Sequence, residues 1–549
     1  MTEAAITEAD IEAAERLLGV VYTASERAQM AGNLAGQIDS ARAVRGVDIA
    51  NTVPMATRFD PRLPGFSMPM AAGVTPSVVS VSLPEDETDI AFAPVTHLSH
   101  WIATGQITSR TLTEIYLARI ERLNPLLECY ATVTPDLALA EADAADALTR
   151  AGVNLGPLHG IPYGLKDLFD TKGIVTGWGA EPYQHRVPET DAQIVTRLRA
   201  AGAVLLGKTT LGALAYNDLW YGGWTRNPWN RDEGASGSSA GSGSATAAGL
   251  CGFSIGTETL GSITSPCQRN GTTGLRPTFG RVSRAGGMAL CWTLDKIGPI
   301  CRSVEDCALV LDAINGGDRA DRSSIDAPFR FDAGAGIEGM VLGYLPEAFG
   351  EGANEVDHAA LAAARELGIE VREVSLPDLP YGALMNTLYA EAAAAFQEIT
   401  LKDLDDTLTW QDDGAWPNTF RKARFLSAVD HVQLDRLRYM VMQALDGLFG
   451  EVDALIGPFM TGPMLVASNY TGHPCLHLRA GFLDLATRGM ASLGAGKLST
   501  GEPGAGQLHT VPQGISLWGR LFEEGRLLNL GMALEAKLDV AARRPPIAT

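Results

Sequence analysis

The 549-residue sequence predicts an α/β protein: a large, mostly parallel mixed β-sheet covered by helices on both faces, with an added N-terminal helical segment. Three observations lead there. Met340-Val-Leu-Gly-Tyr-Leu345 reads as a strand, Ala359 to Leu367 as a helix closed by Gly368, and Ile369-Glu-Val-Arg-Glu-Val374 as a second strand. That β-α-β rhythm fits parallel strands joined by crossover helices. The helical pattern Ala192 to Ala201 runs in the same way into the strand-like Ala203-Val-Leu-Leu206. Apolar residues are 46% of the chain and charged residues 19%, so a sizeable core is available and disorder is excluded.

Residues 1–50 read as an N-terminal extension of two helices. Thr7-Glu-Ala-Asp10 and Thr23-Ala-Ser-Glu26 resemble capping boxes, in which side chains satisfy the unpaired amides of a first turn, and Gly19 and Gly46 are stops. Ile11, Ala14, Leu17 and Leu18 share one helical face, which seeks the body of the protein or another subunit, so a homodimer is a candidate assembly.

Residues 51–88 contain prolines at 54, 61, 64, 69, 76 and 84, which forbid long helices. Phe59, Phe66, Met68 and Met70 are too apolar for a solvated tether, so the stretch is expected to wrap the body. The body proper is assigned to 89–549. In it Thr96 is expected to cap a short helix stopped by Gly105, and Thr108 to open a longer one through Leu123. His97 and His100 lack a third ligand nearby and read as surface or capping residues, so no metal is expected.

A formal charge of −21 without a basic run argues against nucleic-acid and anionic-membrane partners. No signal-like start or long apolar span is seen, which points to the cytoplasm. Seven cysteines without a C-x2-C pair read as reduced, buried thiols, with Cys267 a candidate for the site.

Gly202-Ala-Val-Leu-Leu-Gly-Lys208-Thr209 matches the letters of a phosphate-binding loop. Its interior is strand-like and follows a helix, the wrong order for that loop. Between Asp218 and Trp229 aromatic residues cluster and read equally as a pocket wall or as core. Trp220, Tyr221 and Trp224, with Met288 and Trp292, are the candidate substrate contacts.

The chemistry centres on Gly234-Ala-Ser-Gly-Ser-Ser-Ala-Gly-Ser-Gly-Ser-Ala245, which continues to Gly256-Thr-Glu-Thr-Leu-Gly-Ser-Ile-Thr264. So little side chain leaves the backbone amides as working groups, in the manner of an oxyanion cradle. Ser238 and Ser262 are the candidate hydroxyls, and no histidine lies near to activate them. Gly160-Ile-Pro-Tyr-Gly-Leu-Lys166-Asp offers another base, because burial disfavours an ammonium.

With these two segments the sequence resembles the amidase signature family, over most of the chain from about Asp89. The lysine stands in a Gly-Ile-Pro-x-x-x-Lys-Asp motif, and the serines are 262 − 238 = 24 residues apart, as in that family. The resemblance implies Lys166 as base, Ser238 as bridging serine on a cis peptide and Ser262 as nucleophile. It also implies an oxyanion hole of the amides of Thr259, Leu260, Gly261 and Ser262. The implied reaction is hydrolysis of a small-molecule carboxylic amide through a seryl acyl-enzyme, with no cofactor.

Three departures stand out: Glu258, Leu260 and Thr264 replace the aspartate, glycine and arginine of many family members, and the last puts an ion pair in doubt. With Thr264 in place of a cation, neutral amides with apolar acyl groups are the expected substrates, and Arg226, Arg269 and Arg276 are the nearest candidate cations. The rival readings are an amidotransferase component that supplies ammonia, against which the N-terminal addition and Thr264 lean, and an inactive scaffold. Helices from Ala383 to Leu404 and Phe420 to Phe449 are expected over the substrate side, and Gly494 to Gly506 as a surface loop.

Overall fold

The computed structural model describes residues 6–489 and 507–548; the loop expected at Gly494 to Gly506 lies outside them. Eleven strands form one sheet. In chain order they are β1 (Tyr130–Val133), β2 (Pro162–Lys166), β3 (Val204–Thr209), β4 (Phe253–Glu258), β5 (Thr273–Arg276), β6 (Lys296–Cys301), β7 (Val341–Tyr344), β8 (Glu370–Glu373), β9 (Ala454–Pro458), β10 (Cys475–Ala486) and β11 (Leu508–Gly519). Their spatial order is β8-β7-β9-β11-β10-β5-β6-β4-β2-β3-β1.

The mixed α/β architecture with helices on both faces is as expected, but the sheet is less parallel than the β-α-β rhythm suggests. Parallel pairing is confined to β8-β7-β9 and to β3-β2-β4, while the six other ladders are antiparallel. The centre of the sheet is made by the long β10 and β11, whose hairpin-like pairing needs no crossover helix. The phosphate-loop lettering falls on β3, so its interior is indeed strand.

Local signals set several helix ends. Thr7 and Thr23 each form a complete capping box, and Gly19 closes the first helix in the left-handed region. The N-terminal segment has three helices rather than two, since Gly32 and Asn33 interrupt the second pattern: Glu8–Leu18, Ala24–Ala31 and Leu34–Arg45. Ile11 is buried, whereas Leu17 and Leu18 stay exposed. Val95–Ala103 begins at Pro94 with Thr96 inside it, and Ser109–Leu127 continues past Leu123 through Pro125. The helical cover over the substrate side is divided at Phe396 and again around Ser427, into Met385–Ala395, Gln397–Leu401, Trp416–Ala423 and Ala428–Glu451.

The proline-rich stretch lies against the body. Phe59 packs edge-on to Phe279 and under the Arg438 guanidinium, Phe66 meets Phe522, and Gly73–Thr75 pairs with Arg330–Asp332. All seven cysteines are free and buried, and no helix among the described residues is long and apolar enough to cross a membrane.

The carboxyl ends of the parallel trio β2, β3 and β4 converge on the Gly/Ser-rich stretch, the usual place for a site in such a sheet. That stretch is a packed helix rather than a linker. Every residue of Ala240–Ala247 is buried, and its hydroxyls are satisfied by backbone carbonyls: Ser242 donates to Ile255 at 3.0 Å and Ser244 to Arg226 at 2.8 Å.

Candidate active site

Lys166 ends β2, where alternation turns its side chain into the body with no solvent exposure. Its Nζ donates to Ser238 Oγ at 2.8 Å, to Thr257 Oγ1 at 2.9 Å and to Ser239 Oγ at 3.0 Å. Burial pushes its pKa well below the ordinary lysine range, against the opposing pull of Asp295 and Glu258. Ser239 donates its own proton to the Thr257 carbonyl at 3.1 Å and accepts from the Thr257 amide at 3.1 Å. Its hydroxyl can therefore only accept from the lysine, which leaves Ser238 free to donate to a neutral amine.

Ser238 follows a cis peptide bond from Gly237. Glycine is required at 237, because a Cβ there would lie 1.8 Å from the Asn217 carbonyl oxygen. The Ser239 amide donates to the Ser262 carbonyl at 3.2 Å, so the two serine segments are tied backbone to backbone.

After β4 the chain turns through Thr259-Leu260-Gly261-Ser262 into the Thr264–Asn270 helix, with Gly261 at φ 83°. The Glu258 carboxylate sets this turn. Its Oε2 accepts from the amides of Ile263 and Thr264 at 2.9 and 3.0 Å and from the Thr264 hydroxyl at 3.1 Å. Its Oε1 accepts from Arg276 at 2.7 Å and Asn469 at 3.0 Å. Burial alone would raise this carboxyl; the Arg276 charge and the amide donors outweigh it and hold the pKa at about 2. The amides of Thr259, Leu260, Gly261 and Ser262 donate to no carbonyl among the described residues, so four consecutive N–H groups remain available in one turn.

Two cavities with lining residues in common meet this turn. A chamber of about 140 Å³ is lined by Ser262, Gly237, Leu260, Leu388, Trp416 and Leu465. It shares Ala215, Thr259 and Leu290 with a larger cavity of about 240 Å³ that Thr257, Met288, Trp292 and the N-terminal Met55 also line. The chamber is predominantly apolar.

Of the expected substrate contacts, Met288 and Trp292 line the larger cavity. Trp220, Tyr221 and Trp224 line neither chamber and are corrected. They form a short hairpin in which Tyr221 N–H bonds to the Gly179 carbonyl and Trp224 N–H to the Glu128 carboxylate. Cys267 packs with Ile263 and Ile300 behind the turn instead of facing the site.

The candidate cations are engaged elsewhere or lie outside both chambers. Arg276 serves Glu258, Arg269 pairs with Glu233, and Arg226 lines neither chamber. The arginines that do line the larger cavity are Arg58, Arg284 and Arg322, which sequence reading missed along with Asn51, Met55 and Leu465. Local pattern carries no signal for them, since their places depend on contacts between segments hundreds of residues apart.

Comparison with known proteins is consistent along the chain. A family model described as Amidase matches residues 111–528. A glutamyl-tRNA(Gln) amidotransferase subunit from Pseudomonas savastanoi pv. phaseolicola is 34% identical over 479 residues, covering 82% of this chain and 98% of that protein. The protein of the same name from Methylococcus capsulatus is 35% identical over 471 residues, covering 80% of this chain and 96% of its own length. Among solved structures, the native peptide amidase from Stenotrophomonas maltophilia has a TM-score of 0.71 at 29% identity, covering 84% of this chain and 99% of that one.

Proposed function

The chain belongs to the amidase family, and on that premise we propose that it hydrolyses the C–N bond of a carboxylic amide through a seryl acyl-enzyme. The observation that carries this reading is a fully buried lysine amine hydrogen-bonded to Ser238 and to two further hydroxyls, beside a turn of four unengaged amides that ends at Ser262.

In this mechanism Ser262 Oγ attacks the substrate carbonyl while its proton passes to Ser238 Oγ, and the Ser238 proton passes to the Lys166 amine. The amides of Thr259, Leu260, Gly261 and Ser262 hold the oxyanion. Lys166, now charged, returns a proton through Ser238 to the departing nitrogen, and the C–N bond breaks. Water repeats the attack on the ester and releases the acid and free Ser262.

The chamber beside Ser262 suits an apolar acyl group of ring size, since a dry apolar cavity of about 150 Å³ holds benzene. A panel of benzoyl, short aliphatic and amino-acid amides, read as kcat/KM with the acid product identified, tests the reading. Turnover of benzoyl or aliphatic amides, lost in Ser262→Ala, supports it; no turnover of any amide sinks it in favour of a scaffold.

The second reading is a component of an amidotransferase, favoured by the 34–35% identity to proteins of that name over nearly their whole length. It would be preferred if glutamine alone were hydrolysed, and only with a copurifying tRNA-binding partner.

A further inference from the structure

The outer wall of the larger cavity comes from the proline-rich arm, ahead of the residues matched by the family model. Asn51 Nδ2 donates to the Ala289 carbonyl at 2.7 Å and to the Ala395 carbonyl at 3.3 Å, and Asn51 Oδ1 accepts from the Ala289 amide at 2.9 Å. This two-way pairing imitates a strand bridge and pins the arm across the Met288–Leu290 segment. Met55 and Arg58 thereby join the cavity wall.

Five ionisable side chains line that cavity among the described residues: Arg58, Arg284, Asp295, Asp321 and Arg322. Arg284 and Asp321 neutralise one another through bonds of 3.0 and 3.1 Å. Asp295 accepts from the Thr259 hydroxyl at 2.6 Å and from the amides of Leu290 and Cys291 at 2.8 and 3.0 Å. Arg58 donates to the Arg322 carbonyl at 3.1 Å, which brings the arm and the 320–323 loop together. Both arginines are exposed, and neither enters an ion pair among the described residues. The nearby Asp60 is already held by Arg62 at 2.9 and 2.7 Å.

A chain of net charge −21 repels anions at a distance, whereas Arg58 and Arg322, exposed on the wall of one cavity and outside any ion pair among the described residues, supply positive charge there. A guanidinium fork matches the two oxygens of a carboxylate. We propose that the arm and the 320–323 loop form an outer subsite for a carboxylate at the far end of an amide substrate, bound by Arg58 and Arg322. The proposal rests on the amide-hydrolase reading of Ser262. It revises the expectation of wholly neutral substrates: the acyl chamber remains apolar, and the charge is read farther out.

The test uses the full-length Ser262→Ala protein and isothermal calorimetry, so that binding is measured apart from turnover. Two probe series differ in where the charge sits: N-benzoyl ω-amino acids carry it on the amine portion, and monoanilides of linear dicarboxylic acids on the acyl portion. Each is compared with its own terminal carboxamide. In at least one series the carboxylate is expected to bind about tenfold or more tightly than the carboxamide, with a preference that weakens as salt is added. Adding Arg58→Gln and Arg322→Gln is expected to abolish the preference and leave carboxamide binding unchanged. Equal binding of the paired probes, no carboxylate binding, or a preference that survives both substitutions overturns the subsite. Hydrolysis of the same compounds by the enzyme with Ser262 intact separates the two readings. Selectivity without turnover removes the hydrolase and keeps the subsite, and turnover without selectivity does the reverse.

Discussion

Arg276 donates to the Glu258 carboxylate at 2.7 Å with both side chains fully buried. The pair answers the doubt raised by Thr264. Where many family members carry an arginine just after the serine, this chain brings the cation from β5, and the Thr264 hydroxyl donates to the same carboxylate. Arg276 is itself fixed by donating to Ser468 at 2.9 Å and to the His473 carbonyl at 2.8 Å, so the turn bearing Ser262 is braced by β5 and, through Arg276, by the 468–473 segment.

Replacing Arg276 by Met leaves a buried, uncompensated carboxylate. Breaking a buried pair in this way costs about 3–5 kcal/mol. Chemical denaturation is expected to show a midpoint lowered accordingly. An unchanged midpoint would mean that the pair does not brace the fold.

The same carboxylate makes part of the stability pH-dependent. Its folded pKa is depressed from 4.5 to about 2, so its contribution is fully present above about pH 4.5 and is lost as pH falls towards 2. The stability advantage of wild type over Glu258→Gln should therefore shrink across that interval. A constant difference would contradict the depressed pKa.

Activity is expected to rise with pH along an acid limb, because Lys166 must be neutral to accept the Ser238 proton and burial is what lowers its pKa. Lys166→Ala should lose several orders of magnitude in kcat together with the limb. Lys166→Arg should not restore either, since a guanidinium stays charged. An acid limb that persists in Lys166→Ala would assign the titration to another group.

Acid-quenched enzyme given a slowly hydrolysed benzoyl amide should carry a benzoyl mass increment on the peptide containing Ser262, absent in Ser262→Ala. An increment that stays in Ser262→Ala would transfer the nucleophile's role elsewhere.

Leu465 lies in the chamber wall, 3.6 Å from the place a Cβ on Gly261 would occupy. Leu465→Ala should enlarge the chamber, lowering kcat/KM for acetyl amides relative to branched or bicyclic acyl groups. No change in the acyl-size profile would remove this chamber from acyl recognition.

Features that depend on neighbours in sequence were legible without the structure. The capping boxes at Thr7 and Thr23 are four-residue motifs whose partners lie within one turn. The β-α-β unit of β7 and β8 is a pattern of side-chain period. The Gly/Ser-rich stretch and the Lys166 segment were joined in one site only by the family resemblance, and the structure places Lys166 Nζ 2.8 Å from Ser238 Oγ.

What depends on which segments meet was left to the tertiary structure. Three of the six antiparallel ladders of the sheet are made by β10 and β11, which come from the last part of the chain and enter between β9 and β5. The aromatic hairpin at Trp220 lines neither chamber, and the Glu258 partner came from β5 rather than from position 264. The cavity wall was completed by Asn51 pairing with Ala289, 238 residues away. Backbone propensity and side-chain period act over a few residues and so can be read along the chain. Burial of charge and closure of a cavity are settled by which surfaces exclude water together, and that is a property of the packed chain alone.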